Sequence, residues 1–409
     1  MKNFFDDNLL LDGDTAVRIY GEIKNLPIID YHCHLDEKAI AEDAKFADIG
    51  QLWLGGDHYK WRAMRLCGVD ERYITGEASY HDKFVAYARI MPQLIGNPLY
   101  YWSHMELAQI FDIHEPLCEQ SAERIWKQAN AKIADLSVCK LLDMFNVEYV
   151  ATTDDPMSEL TFHGRTGNTE VRPTFRPDGC FAAGVDKAVL EQRLQYFVSK
   201  GCKIADHGFD DFADTTNVEW LAEMCYKYNI VLQLHFGTFR NVNEVAFGQI
   251  GRDSGFDVMR SQISVDNLAH LLSRLNAKLG GLPDIVLYPL NDNYLKSCAT
   301  LTGAFRNVRM GAAWWFNDTV CGIRRQLETV AEYSVLGSQL GMLTDSRSFS
   351  SYVRFDFYRR ILSSFIAAKV DNGEYDENAA VSLAKDIAYN NIKNLLASKG
   401  AKKSTTNKY

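Results

Sequence analysis

Eight short β-branched or apolar runs, separated by helical patterns, constrain this chain more than any other feature. They are "LPIIDYH" at 26–32, "VEYVATTDD" at 147–155, "TEVRPTFRPD" at 169–178, "GCKIADHGFD" at 201–210, "NIVLQLHFG" at 229–237, "DIVLYPLNDN" at 284–293, "NVRMGAAWWFND" at 307–318 and "LGMLTDSRS" at 340–348. Amphipathic stretches such as "DKAVLEQRLQYFVSK" at 186–200 and "VDNLAHLLSRLNAKL" at 265–279 lie between them. Alternating strands and helices imply parallel pairing through helical crossovers, and eight such units predict an α/β fold closed as a (β/α)8 TIM barrel.

One gap is too long for a single crossover. Between His34 and Val147 the patterns are helical, as in "DHYKWRAMRLCG" at 57–68, "HDKFVAYARIMPQ" at 81–93, "NPLYYWSHMELAQIF" at 97–111 and "SAERIWKQANAKIADL" at 121–136. The expected organisation is therefore a barrel from 1–36 and 147–398, with 37–146 as a helical insertion over its mouth. A last helix is expected at 377–398, and the polar, basic stretch 399–409 reads as a disordered tail.

Composition excludes several classes. The net charge of −9, with no basic block, argues against a nucleic-acid partner. It also means that an anionic substrate would need local arginines. No run of 18 apolar residues suggests a membrane span, and "MKNFFDDNLLLDGD" breaks its apolar residues with acids, unlike a secretory signal. Nine scattered cysteines without a C-x-x-C fit reduced thiols and a cytoplasmic location. There is no G-x-G-x-x-G for a nucleotide cofactor. The sequence leaves a homo-oligomer open.

The polar residues fall at the strand ends. His32 and His34 stand at i and i+2, so they face one way and can share a divalent ion. Later strands end at Thr152–Asp155, Arg176, Asp206 and His207, His235, Asn291–Asn293, Trp314 to Asp318, and Asp345 with Arg347. In a closed barrel these ends share the face that carries the active site. The last strand neighbours the first, so Asp345 can join His32 and His34 in an N/N/O set suited to zinc or a related metal. His207 and His235 read as ligands, acid–base groups or plain hydrogen-bonding residues.

These motifs carry a resemblance. "DYHCHL" at 30–35, "DHYKWRAMR" at 57–65, "IGNPLYYWSHMEL" at 95–107, "TTDDP" at 152–156, "RPD" at 176–178, "GCKIADH" at 201–207, "WWFND" at 314–318 and "GMLTDSRSF" at 341–349 resemble the uronate (glucuronate) isomerases of the amidohydrolase superfamily. The resemblance implies an amidohydrolase-type barrel and an aldose–ketose isomerase. Its reaction interconverts D-glucuronate with D-fructuronate, and D-galacturonate with D-tagaturonate, by proton transfer from C2 to C1 through an enediol. It points to Tyr59, with His58 beside it, for the proton shuttle. Lys60, Arg62 or Arg347 would have to lower the phenol pKa if Tyr59 is to act as a base. Aromatic anchoring of the insertion is the competing reading for Tyr59.

Asp345 and His32, with a metal that assists without being indispensable, would promote ring opening. Arg347 would stabilise the enediolate. Arg176 and Arg240 are expected to hold the hexuronate carboxylate and hydroxyls, unless they form surface ion pairs. His235 and Asp206 would complete the polar wall, and Trp314 and Trp315 would floor the sugar or pack the core. "LYPLNDN" at 287–293 departs from the family pattern, lacking a proline–arginine before its aspartate. The rival reading is a mononuclear metal-dependent hydrolase of the same superfamily, acting on an amide or lactone. A non-catalytic sugar-acid sensor is a third.

Overall fold

The computed structural model describes residues 4–400. Eleven strands form, in chain order: β1 (Ile28–Asp30), β2 (Val147–Ala151), β3 (Gly164–Thr166), β4 (Thr169–Arg172), β5 (Thr174–Phe175), β6 (Ile204–Phe209), β7 (Val231–Phe236), β8 (Thr238–Phe239), β9 (Val258–Met259), β10 (Ile285–Pro289) and β11 (Val308–Met310). Seven of the eight expected runs contain parallel strand. The third is split into β4 and β5 at Pro173, which has no N–H to donate to a ladder.

The ring order follows from the pairings. One sheet runs β1-β2-β4-β3 and another runs β11-β10-β7-β6-β5. They join where Thr174 and Thr152 pair and Asp154 bridges Phe175 in parallel. The fully buried β10 reads as a continuous apolar run, as a parallel strand covered on both faces should, and β7 departs from one at Gln233 and His235.

The eighth run is the exception. Residues 340–348 form no regular strand. Gly341 (φ 73°) and Asp345 (φ 48°) both turn left-handed, which breaks the extended path. The segment still lies beside the first strand. Asp345 N–H donates to the His32 carbonyl (3.1 Å) and His34 N–H to the Ser346 carbonyl (2.9 Å). On its other side no backbone ladder bond to β11 occurs among the described residues. The Gln339 amide reaches the Met310 carbonyl instead (3.2 Å). The architecture is thus an α/β barrel of TIM type with one seam held by side chains.

Seven α-helices occupy the stretch between β1 and β2, including His58–Leu66, Tyr80–Ile90, Pro98–Phe111 and Ala122–Ile133. Asp57 caps the first of these, accepting from the amides of Tyr59 and Lys60. Helix Pro98–Phe111 packs on the 19-residue helix Val353–Asp371 and shares one apolar core with it. At the other end of the chain, Lys399 is buried against Asp284 and Gly400 N–H donates to the Asn229 carbonyl. The free tail expected from 399 onward therefore does not begin at 399; residues 401–409 lie outside the described residues.

Candidate active site

The strand ends converge on a cavity of about 550 Å³, lined among others by His34, His58, Arg176, His235, Arg240, Trp314, Trp315, Asp345 and Arg347. A wider groove of about 790 Å³, bordered by Phe239, Arg260 and Tyr294, holds none of these groups. Convergent ionisable side chains, rather than size, identify the site.

The backbone bonds between 344–346 and the first strand set Asp345 against both imidazoles. Its Oδ1 lies 3.3 Å from His32 Nε2 and 3.3 Å from His34 Nε2. One ligand atom from each residue falls within 4.8 Å of the others. His32 is fully buried, and neither of its ring nitrogens makes a hydrogen bond. Buried polar atoms normally find partners, so this orphaned imidazole fits a metal ligand. Burial pushes His34 down to about 4, leaving it a neutral donor at ordinary pH. Burial opposes ionisation of Asp345, but the facing histidines hold its carboxyl well below the usual range. Two imidazoles and a carboxylate are the donor set that a divalent first-row ion takes.

A second cluster stands beside it. Asp206, fully buried behind the cavity wall, accepts from His235 Nδ1 (3.0 Å) and pairs with Arg176 (3.1 Å). Arg176 also approaches His235 Nε2 (3.2 Å) and donates to Asp178 (3.0 Å). His235 therefore donates at Nδ1 and accepts at Nε2, a neutral tautomer. Burial lowers its pKa in keeping with that, against the pull of Asp206. His207 turns away from the ion site and bonds Asp178 (2.5 Å).

Arg347 reaches His58 Nδ1 (3.3 Å) and Asp253 (3.0 Å). Burial and then the Arg347 charge lower the His58 pKa, so this imidazole too is neutral. Arg240 pairs with Asp257 (3.2 Å) and lies over the Trp315 ring (5.8 Å). Trp315 borders the cavity and stacks on Phe316 at 4.4 Å. Trp314 is core-like: it stacks on His235 (5.1 Å), meets His32 edge-on (4.4 Å) and donates its indole N–H to Asp345 (2.5 Å).

Tyr59 sits differently from the expectation. Its hydroxyl donates to Asp318 (2.9 Å) and faces a small side cavity of about 150 Å³ that shares His58 and Trp315 with the main one. Lys60 is buried against Asp57 (2.9 Å), Arg62 binds the Gly255 and Asp257 carbonyls (both 2.9 Å), and Arg347 is engaged elsewhere. Burial first, and then Asp318, raise the phenol pKa well above 10. The cation that opposes the shift is Arg354, 4.8 Å over the phenol ring, rather than Lys60, Arg62 or Arg347. Asp178, Asp253 and Asp257 were not singled out from sequence, and Asp318 stood only as a polar strand end without a role. Only Asp178 and Asp318 carried a signal, as members of "RPD" and "WWFND".

A family model described as glucuronate isomerase matches residues 1–188 and 213–396. The chain belongs to the glucuronate isomerase family. The uronate isomerase of Streptococcus equi subsp. zooepidemicus is 39% identical, over 95% of this chain and 98% of its own. That of Caldanaerobacter subterraneus subsp. tengcongensis is 37% identical, over 96% and 99%. Among solved structures, the Thermotoga maritima uronate isomerase superposes with a TM-score of 0.92 at 31% identity, covering 97% of this chain and all of its own. The Caulobacter crescentus glucuronate isomerase gives 0.88 at 26%, covering 96% and 97%. The alignment with the Caldanaerobacter protein spans 462 positions against 409 residues here, so that isomerase carries segments this chain lacks. The unmatched stretch 189–212 spans part of helix Lys187–Ser199 and β6, and thus includes Asp206.

Proposed function

We propose that this aldose–ketose isomerase interconverts D-glucuronate and D-fructuronate, and D-galacturonate and D-tagaturonate, by moving a proton between C2 and C1 through an enediol. The observation that carries the reading is the meeting of His32, His34, Asp345, His58 and Arg347 around one cavity, in a chain of this family. His32, His34 and Asp345 would hold a divalent ion, by donor type zinc. That ion would polarise the anomeric oxygen as a Lewis acid during ring opening, an aid rather than a requirement.

The remaining work falls to the chain's own groups. His58, neutral and beside the cavity, is the proton carrier within reach. Arg347 lies next to it and faces the oxygen that gains charge in the enediolate. Tyr59, its phenol held protonated, serves as a hydrogen-bond donor from the neighbouring cavity rather than as a base. Arg176 and Arg240 take the carboxylate and hydroxyls, with His235 as an acceptor between them and Asp206 fixing both His235 and Arg176. Trp315 floors the sugar. The cysteines among the described residues are all unpaired, which supports a cytoplasmic protein, and no helix there is long and apolar enough to cross a membrane.

The hydrolase alternative finds no support. The mononuclear hydrolase shares the His32, His34 and Asp345 triad, so the triad does not favour it, and a two-metal version would also need a histidine after β10, where Asn291 instead donates to the Arg260 carbonyl (2.9 Å) and Asp292 pairs with Arg325. The relatives are isomerases. The test is incubation with D-glucuronate or D-fructuronate in heavy water. Interconversion is expected, with solvent deuterium at the transferred position. Failure to interconvert either pair, with turnover of lactones or amides, would sink the reading.

A further inference from the structure

The polypeptide between β7 and β10 returns across the cavity mouth as a strap. Its base is the antiparallel pair β8–β9. Asp257, almost fully buried, ties the strap to itself by accepting from the Asn241 amide (2.6 Å) and pairing with Arg240. Its tip is fastened to helix His58–Leu66. Arg62 donates to the Gly255 and Asp257 carbonyls (2.9 Å each), and Arg65 donates to the Ser254 carbonyl and lies over the Phe256 ring at 4.4 Å. Gly255 (φ +94°) allows the approach, since a Cβ there would stand 3.2 Å from the His58 carbonyl oxygen.

Asp253 is the residue just before this fastening, itself in left-handed backbone (φ 56°). Its carboxylate accepts from Arg347 at 3.0 Å, while the other terminal nitrogen of the same guanidinium reaches His58 at 3.3 Å. The guanidinium is thus spanned between a strap carboxylate and an imidazole, and both anchors belong to one pinned unit. A planar guanidinium held at two nitrogens has its orientation fixed.

We infer that Asp253 is a positioning residue for the isomerisation: it aims Arg347 at the reacting oxygen and is the internal anion with which substrate must share that guanidinium. This deepens the proposed function and rests on it. Two consequences follow for kinetics. Without the carboxylate, Arg347 swings free and the enediolate loses its aligned partner, so kcat falls. The anionic competitor for the same guanidinium is also gone, so KM does not rise.

The experiment is steady-state kinetics of wild type, Asp253→Asn and Asp253→Glu with D-glucuronate, alongside thermal melting. The Asp253 side chain is 54% exposed, so its substitution leaves the core untouched. Asp253→Asn is expected to lower kcat at least tenfold with KM equal to or below wild type and an unchanged melting temperature, and Asp253→Glu to recover part of kcat. An unchanged kcat, or a raised KM, in Asp253→Asn overturns the assignment. If wild type turns over no hexuronate, the proposed function fails instead, which keeps the two failures apart.

Discussion

At the scale of single residues, the site is built from groups whose partners, present or missing, decide what they can do. His32 illustrates this: buried, unpartnered and facing Asp345, its imidazole is costly to leave as it stands unless a cation accepts its lone pair. His32→Asn is expected to lower bound zinc, read by elemental analysis of the purified protein, from near one per chain to a small fraction. Equal metal content in the variant would remove His32 from the ligand set. Arg347→Met and Tyr59→Phe should each cut kcat about a hundredfold or more while the protein stays folded. Near-normal turnover in either would end its assigned role. The sequence made the histidine pair legible because its spacing is local. The phenol's partner was not legible, because Asp318 lies 259 positions away and only the fold brings it within hydrogen-bonding distance.

At the scale of elements, the strand runs announced themselves where burial on both faces demanded apolar residues: 229–237 contains β7 and 284–293 contains β10. The seventh run overreached. β11 ends at Met310, and the ring of Tyr288 crowds the next residue so closely that a Cβ at Gly311 would stand 1.9 Å from it. The eighth run had the right composition but two left-handed residues, which propensity alone does not reveal. β6 carries a comparable contact inside the site. A Cβ at Gly208 would fall 2.2 Å from His235 Nε2. Gly208→Ala should therefore push the imidazole off Trp314 and away from Arg176, lowering kcat/KM at least tenfold while costing about 1–3 kcal/mol of stability. Wild-type kinetics in that variant would show that His235 has room to spare.

At the scale of the whole molecule, the helical stretch after β1 and the barrel share a core, so the state of one bears on the other. His104, on helix Pro98–Phe111, donates from Nδ1 to the Tyr100 carbonyl (2.7 Å) and accepts the Leu117 amide at Nε2 (3.0 Å), an arrangement open only to the neutral ring. Burial lowers its pKa from 6.5 to about 4, the Tyr100 carbonyl resisting. Between those two values the unfolded chain binds the extra proton and the native one does not. This contribution to stability is therefore complete above 6.5 and is lost as pH falls toward 4, by up to about 3 kcal/mol. Denaturant midpoints across that range should slope less steeply for His104→Asn than for wild type; parallel slopes would refute the account. The ring itself has a weak join. Between β11 and 340–346 the tie at the mouth is the Trp314 indole on Asp345, so the carboxylate that faces both histidines also latches the barrel shut. Breathing at that join would pull Trp314 off Asp345, while the backbone bonds of 345 and 346 to His32 and His34 keep the carboxylate beside the imidazoles. An ion held by Asp345 would fix the acceptor of that latch, so amide exchange in 340–346 should slow when zinc is supplied, making this stretch of the wall a reporter of what the pocket holds.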